Sequence, residues 1–329
     1  MSQTLAPDFF IVGAPKCGTT ALDAYLAAHP SIFMAEKEQH FFGSDLQRAW
    51  SRPSKDEYLR SFTGSELAER RGEGSVWYLM SQYAAEEIHA FDPRARIVVM
   101  LRNPIDMLPS LHSQTLLSHA EDIEDFVEAL SAESDRRQGK RIPPHCTFPA
   151  ALLYRETVRF KQQLERYLAV FERSQIHVVL FDDFASDTHS AYRGVLDFLG
   201  VDSTFAPSLH IVNANKRARS KWVHRQLWEL WDPDADLRRI GRRIVPSRAA
   251  RDVLWRTVTR FNTAEVKRPS LDPAVRASLA DELAPDIQEL GELLGRDLSH
   301  WYAGDGARRK AAPDRGEKLS NHLAMGKRP

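Results

Sequence analysis

A buried strand that runs into a glycine-bracketed loop and then a helix limits this chain more than any other feature. Phe9-Phe10-Ile11-Val12 is apolar throughout and strand-length, and Gly13-Ala14-Pro15 stops it. From Thr19 the apolar residues Ala21, Leu22, Tyr25 and Leu26 recur at helical spacing until His29-Pro30 ends the run. Between the two lies Gly13-Ala14-Pro15-Lys16-Cys17-Gly18-Thr19-Thr20. A loop in that setting aims successive backbone N–H groups, and the positive end of a helix dipole, at one spot. That spot is an anion site, and phosphate suits it.

The alternation continues along the chain. A strand is expected near 75–80, then a helix through Tyr83, Ile88 and Phe91. Residues 95–101 and 175–181 read as further core strands, the first rich in β-branched side chains. Helices are expected from Pro104 to about Ser118, from Glu121 with Ile123, Phe126, Val127 and Leu130 on one face, and from about Ala150 to Phe171. Another spans 188–199 with Gly200 as its C-cap, and 134–149 reads as a loop. Such a pattern predicts an α/β fold whose central parallel sheet is covered by helices on both faces. Further on, Asp272-Pro273 is an N-cap and N1 pair, and Pro285 is expected to divide the region behind it into two helices. Residues 8–302 read as a single domain, and 303–329 as a disordered polar tail.

Composition then removes whole classes of function. Forty-five Lys+Arg balance 45 Asp+Glu, so the basic excess of a general nucleic-acid binder is missing. Two cysteines, Cys17 and Cys146, cannot build a structural zinc site alone and fit a reducing compartment. The longest apolar stretches fall short of the roughly 20 residues that cross a bilayer, and the N-terminus lacks the charged-then-apolar pattern of a secretory signal. A cytoplasmic location is expected.

The spacing Gly13-x4-Gly18 matches the phosphate loop of nucleoside triphosphatases, but Thr19 stands where that loop has its lysine. Lys16, two residues before Gly18, is instead placed to touch a bridging or leaving oxygen. Leaving the strand 97–101, Arg102 carries a planar fork that can hold two phosphate oxygens, and Ser110 can donate a third bond. In Glu36-Lys37-Glu38-Gln39-His40-Phe41-Phe42, either Glu38 or His40 can accept a proton from an attacking hydroxyl.

Taken together these strings resemble the sulfotransferases that use 3′-phosphoadenosine 5′-phosphosulfate (PAPS), with bacterial and heparan-type carbohydrate members nearest in pattern. Pro15-Lys16-Cys17-Gly18-Thr19-Thr20 is similar to their 5′-phosphosulfate loop. Arg102 and Ser110 are similar to their 3′-phosphate site, and Lys37-Glu38-Gln39-His40-Phe41-Phe42 to a segment whose glutamate is the catalytic base. Gly72-Glu73-Gly74-Ser75-Val76-Trp77-Tyr78 resembles a further family string, with one departure: heparan-type members commonly carry lysine where this chain has Gly74. Lys216, Arg217 and Arg219 fall in a basic string similar to the loop that closes over the donor nucleotide. The resemblance runs from about Asp8 to Trp301.

It implies a single α/β domain related to nucleotide kinases. The implied reaction is sulfuryl transfer from PAPS to a hydroxyl, or less readily an amine, of a carbohydrate, glycolipid or secondary metabolite, without a metal. Donor-binding residues are then Lys16, Cys17, Gly18, Thr19, Thr20, Arg102, Ser110 and one or more of Lys216, Arg217 and Arg219; catalytic ones are Lys16, Glu38 and His40. The acceptor pocket is expected around 43–63, 116–148 and 222–260. Trp222, Trp228, Trp231, Arg238, Arg239, Arg242 and Arg243 give the last stretch a basic, aromatic character that suits an anionic membrane surface or a cover for the acceptor. Two competitors stay open: a phosphate-loop kinase or nucleoside triphosphatase, and a non-catalytic nucleotide-binding protein.

Overall fold

The computed structural model describes residues 5–46, 52–208, 216–218, 263–265 and 270–303. The chain divides into two units, residues 1–270 and 271–329, taken here in turn. In the first unit the strands β1 (Phe9–Gly13), β2 (Ile32–Met34), β3 (Arg70–Gly74), β4 (Arg96–Leu101) and β5 (Ile176–Leu180) form one sheet, in the order β2-β3-β1-β4-β5. Every neighbouring pair in it is parallel. β1 is central, and all five of its residues are buried. β4 is buried from Ile97 to Leu101, as its unbroken apolar run requires.

Helices connect these strands: α1 (Thr19–Ala27), α2 (Lys55–Arg60), α3 (Ala84–Phe91), α4 (Pro104–Leu117), α5 (Phe126–Ser131), α6 (Glu133–Arg137), α7 (Tyr154–Thr157), α8 (Phe160–Leu168), α9 (Phe181–Ser186) and α10 (Thr188–Leu199). α10 has the expected bounds, with Gly200 at φ 68 as its left-handed cap. All carboxyl ends of a parallel sheet open on one edge, and ligands bind there where the strand order switches direction. Here β1 is that point, because the chain reaches β2 and β3 on one side of it and β4 and β5 on the other.

Several expected elements are moved. The strand foreseen at 75–80 is β3 at Arg70–Gly74, and residues 76–80 are turns. The apolar run Val76-Trp77-Tyr78-Leu79 made the later segment look like the strand; β3 itself is polar in sequence, yet Gly72, Glu73 and Gly74 are buried. Glu121 precedes the helix foreseen there, which starts at Phe126 behind the N-cap Asp125, and Val127 is exposed. The buried Glu121 carboxylate instead takes Arg136 at 2.7 Å and Tyr154 Oη at 2.8 Å. The single helix foreseen over 150–171 is a 3-10 turn at Pro149–Leu152 followed by α7 and α8.

A small antiparallel pair, β6 (Lys216–Ala218) with β7 (Thr263–Glu265), sets Lys216 opposite Glu265. Arg219 and the basic, aromatic stretch 221–260 lie outside the described residues, as does the tail beyond 303.

The second unit carries α11 (Pro273–Leu294), capped by Asp272, whose carboxylate accepts from Ala274 N at 2.8 Å. Pro285 does not divide it. Leu279, Leu283, Ile287 and Leu290 are buried on one stripe that runs across the proline. Burial of each such side chain contributes about 1.5–3 kcal/mol, against about 3 kcal/mol lost to an internal proline.

Candidate active site

Gly18 begins α1 in the left-handed region, at φ 93. A Cβ there would press on the Phe181 ring at 3.3 Å and the Met100 methyl at 3.4 Å, so shape and backbone both call for glycine. No side chain caps this helix, whose first residues are the buried Thr19 and the exposed Thr20. Gly13 is constrained by closeness instead: a Cβ would fall 2.6 Å from that of Leu79.

Lys16 reaches across to α4, where its ammonium donates to Gln114 Oε1 at 2.6 Å. Gln114 lies one turn beyond Ser110 and shares its helix face, and Ser110 is buried. Arg102, the first residue after β4, donates to the Lys16 carbonyl at 3.2 Å and stacks its guanidinium 4.5 Å from the Phe181 ring centre. The loop, the Arg102 fork and the Ser110 face thus border one another. Cys17 is wholly buried, and burial pushes its thiol up to about 12. It fills space under the loop, and its Sγ contacts the Pro15 carbonyl and Met107 Sδ.

The segment after β2 brings Glu38 and His40 together, with Oε2 to Nε2 at 3.3 Å and both side chains partly exposed. Below them Glu73 is a buried carboxylate that accepts from Tyr58 Oη at 2.7 Å, Ser75 Oγ at 2.5 Å and Tyr78 Oη at 2.8 Å. Burial raises its pKa, and the three hydroxyl donors pull it back. Those hydroxyls in turn accept backbone N–H groups: Ser75 from His40 at 3.1 Å, and Tyr78 from Phe41 at 2.8 Å and Phe42 at 3.2 Å. A loop with no ladder of its own is held in place through one carboxylate. Phe41 stacks on Tyr58 at 4.2 Å and anchors its far end.

The sequence alone did not single out Gln114, Phe181 or the role of Glu73. Helical spacing from Ser110 was a signal for Gln114, and the position directly after β5 was one for Phe181. For Glu73 the string from Gly72 to Tyr78 holds two of its partners, Ser75 and Tyr78, while the third, Tyr58, comes from α2. Position 74, where the resemblance would set a lysine, is overlaid by the Lys37 stem. β6, which bears Lys216 and Arg217, runs beside α4. Among the described residues, no group of three His, Cys, Asp or Glu side chains is placed to hold a metal ion, and no helix is long and apolar enough to cross a membrane.

Residues 7–206 match the profile of the sulfotransferase family. Over 212 residues the chain is 29% identical to the human heparan sulfate glucosamine 3-O-sulfotransferase 6, a match covering 64% of this chain and 57% of that one. Human carbohydrate sulfotransferase 15 is 27% identical over 247 residues, covering 59% of this chain and 44% of its own. The match thus spans about half the length of these relatives. The crystal structure of a sulfotransferase from Alicyclobacillus acidocaldarius superposes with a TM-score of 0.67 at 28% identity, over 91% of this chain and 99% of that one.

Proposed function

We propose, from the premise that the chain belongs to the sulfotransferase family, that it moves a sulfuryl group from PAPS to a hydroxyl of a carbohydrate, glycolipid or secondary metabolite. The observation that carries the reading is the meeting, at one sheet edge, of an uncapped helix N-terminus, a guanidinium stacked on an aromatic ring, and a carboxylate–imidazole pair. Names of relatives favour a carbohydrate acceptor.

PAPS supplies an activated sulfuryl group whose leaving oxygen stays with the 5′-phosphate. The backbone of Gly18, Thr19 and Thr20 binds the anionic end through N–H groups and hydroxyls. Lys16 stabilises charge on the oxygen between phosphorus and sulfur as that bond breaks; leaving Gln114 frees it for this task. Glu38 takes the acceptor proton while the acceptor oxygen bonds to sulfur, and His40 orients it; exchange of these two roles is the alternative. Arg102 and Ser110 read the 3′-phosphate, joined by one or more of Lys216, Arg217 and Arg219. In-line transfer of this kind asks for position and charge rather than covalent help. Two free cysteines support a reducing, cytoplasmic setting.

Calorimetric titration with adenosine 3′,5′-bisphosphate and with Mg·ATP tests the reading. The bisphosphate binds without metal, Mg·ATP does not, and Arg102→Ala weakens the bisphosphate at least tenfold, about 1.4 kcal/mol. Binding of Mg·ATP alone would return the loop to the kinases. Bisphosphate binding with no transfer, and no effect of Glu38→Gln on turnover, would mean a binding protein.

A further inference from the structure

β4 and β5 run side by side in register up to the pair Leu101 and Leu180, so Arg102 and Phe181 are the first residues beyond two adjacent strand ends. There the Arg102 guanidinium lies over the Phe181 ring, 4.5 Å from its centre. Its one side-chain hydrogen bond among the described residues goes to the Lys16 carbonyl at 3.2 Å, and none of their carboxylates pairs with it. The same ring turns an edge to the glycine loop: a Cβ built on Gly18 would meet Phe181 Cδ2 at 3.3 Å and Cε2 at 3.4 Å. One half-buried ring therefore borders both the loop and the guanidinium.

A guanidinium on a long, flexible stem loses affinity for phosphate unless its plane is fixed beforehand. A carboxylate partner would fix it, but would occupy its N–H donors and cancel its charge. An aromatic face does neither: it holds the cation through the ring quadrupole and leaves the in-plane donors available. Here one N–H is committed to Lys16 and the ring supplies the second anchor. We propose that Phe181 is a positioning residue, whose ring sets the Arg102 fork at a fixed offset from the Gly18 loop and so favours a nucleotide that carries a second phosphate on its ribose. The inference rests on the reading of Arg102 as the contact to the 3′-phosphate. Phe181 acts through Arg102 and not by touching phosphate.

Metal-free calorimetric titration with adenosine 3′,5′-bisphosphate and with adenosine 5′-monophosphate reads the preference for the ribose phosphate as a ratio of affinities. In Phe181→Leu that ratio falls about fivefold, while 5′-monophosphate binding stays within about twofold of wild type. Phe181→Tyr keeps the ring and keeps the ratio. With Arg102→Ala already in place, Phe181→Leu lowers the ratio no further, because the ring then has no guanidinium to hold. An unchanged ratio in Phe181→Leu overturns the proposal. Equal weakening of both nucleotides does so too, since the ring would then serve the glycine loop alone, and so does a Phe181→Tyr variant as impaired as Phe181→Leu. Absence of the preference in the wild-type protein, or its survival in Arg102→Ala, is a separate result: it strikes the reading of Arg102 itself, and the proposal falls with it.

Discussion

Cys17 sits inside the candidate anion-binding loop, yet its side chain is buried in packing. A helix N-terminus lowers a thiol pKa when the sulfur is exposed to its field; here burial dominates and raises it to about 12. Iodoacetamide at pH 8 is therefore expected to leave Cys17 unmodified in the native protein and to label it only after denaturation, which peptide mass spectrometry checks. Loss of native-state protection at Cys17 would contradict the buried placement. At this scale the sequence marked a candidate most readily where the side chain's own chemistry suggests a role, as with the Arg102 fork or the Glu38 carboxylate. It was silent where a residue acts through partners far along the chain. Glu73 is joined to Tyr58, 15 residues away, and Gln114 to Lys16, 98 residues away. No short window along the chain contains the Lys16–Gln114 pair.

Among the elements, those with explicit end signals were legible. Thr188–Leu199 and the start of α11 carry a cap residue and, at one end, glycine or proline. β3 was misplaced because burial and hydrophobicity part company there: the strand is Arg-Arg-Gly-Glu-Gly, and its glycines are small enough to lie beneath the Phe9 ring and the Lys37 stem. At the break in the helix expected over 150–171, the buried Gln163 donates to the Glu156 carbonyl and so bonds across the gap between α7 and α8. A prediction belongs to α11. Asp272→Ala removes the acceptor for Ala274 N and Val275 N and should destabilise the helix start by about 1 kcal/mol. Hydrogen exchange at those two amides would speed up roughly fivefold, while the amides of β1 stay unchanged.

For the molecule as a whole, stability should carry the mark of buried acids just before and beside the central strand. Asp8 is raised to about 6 chiefly by burial, with Arg70 and Arg71 opposing. A folded-state pKa above the unfolded value near 3.8 means that the native state binds the extra proton. This contribution is complete below pH 4 and is lost as pH rises through 6. Asp8→Asn removes the dependence, so its stability relative to wild type should climb between pH 4 and 7, by on the order of 1–3 kcal/mol. Urea denaturation at several pH values measures it, and a flat difference would refute the assignment. The parallel sheet was legible only in part: β1, β4 and β5 are mainly hydrophobic runs, as a sheet covered on both faces requires, whereas the polar β3 and the three-residue β2 carry no such signal. The strand order was not legible, since order depends on which helix crosses which face.

That order has a practical consequence. The candidate site occupies the carboxyl edge, where β1, β2, β3 and β4 deliver their loops, whereas β1 starts at the opposite edge beside Arg71 and Arg96. A linker joined ahead of Phe9 approaches from that opposite edge. Immobilising the enzyme on a solid support through such a linker would leave the acceptor's approach to the carboxyl edge open, a useful property if the acceptor is as bulky as a polysaccharide.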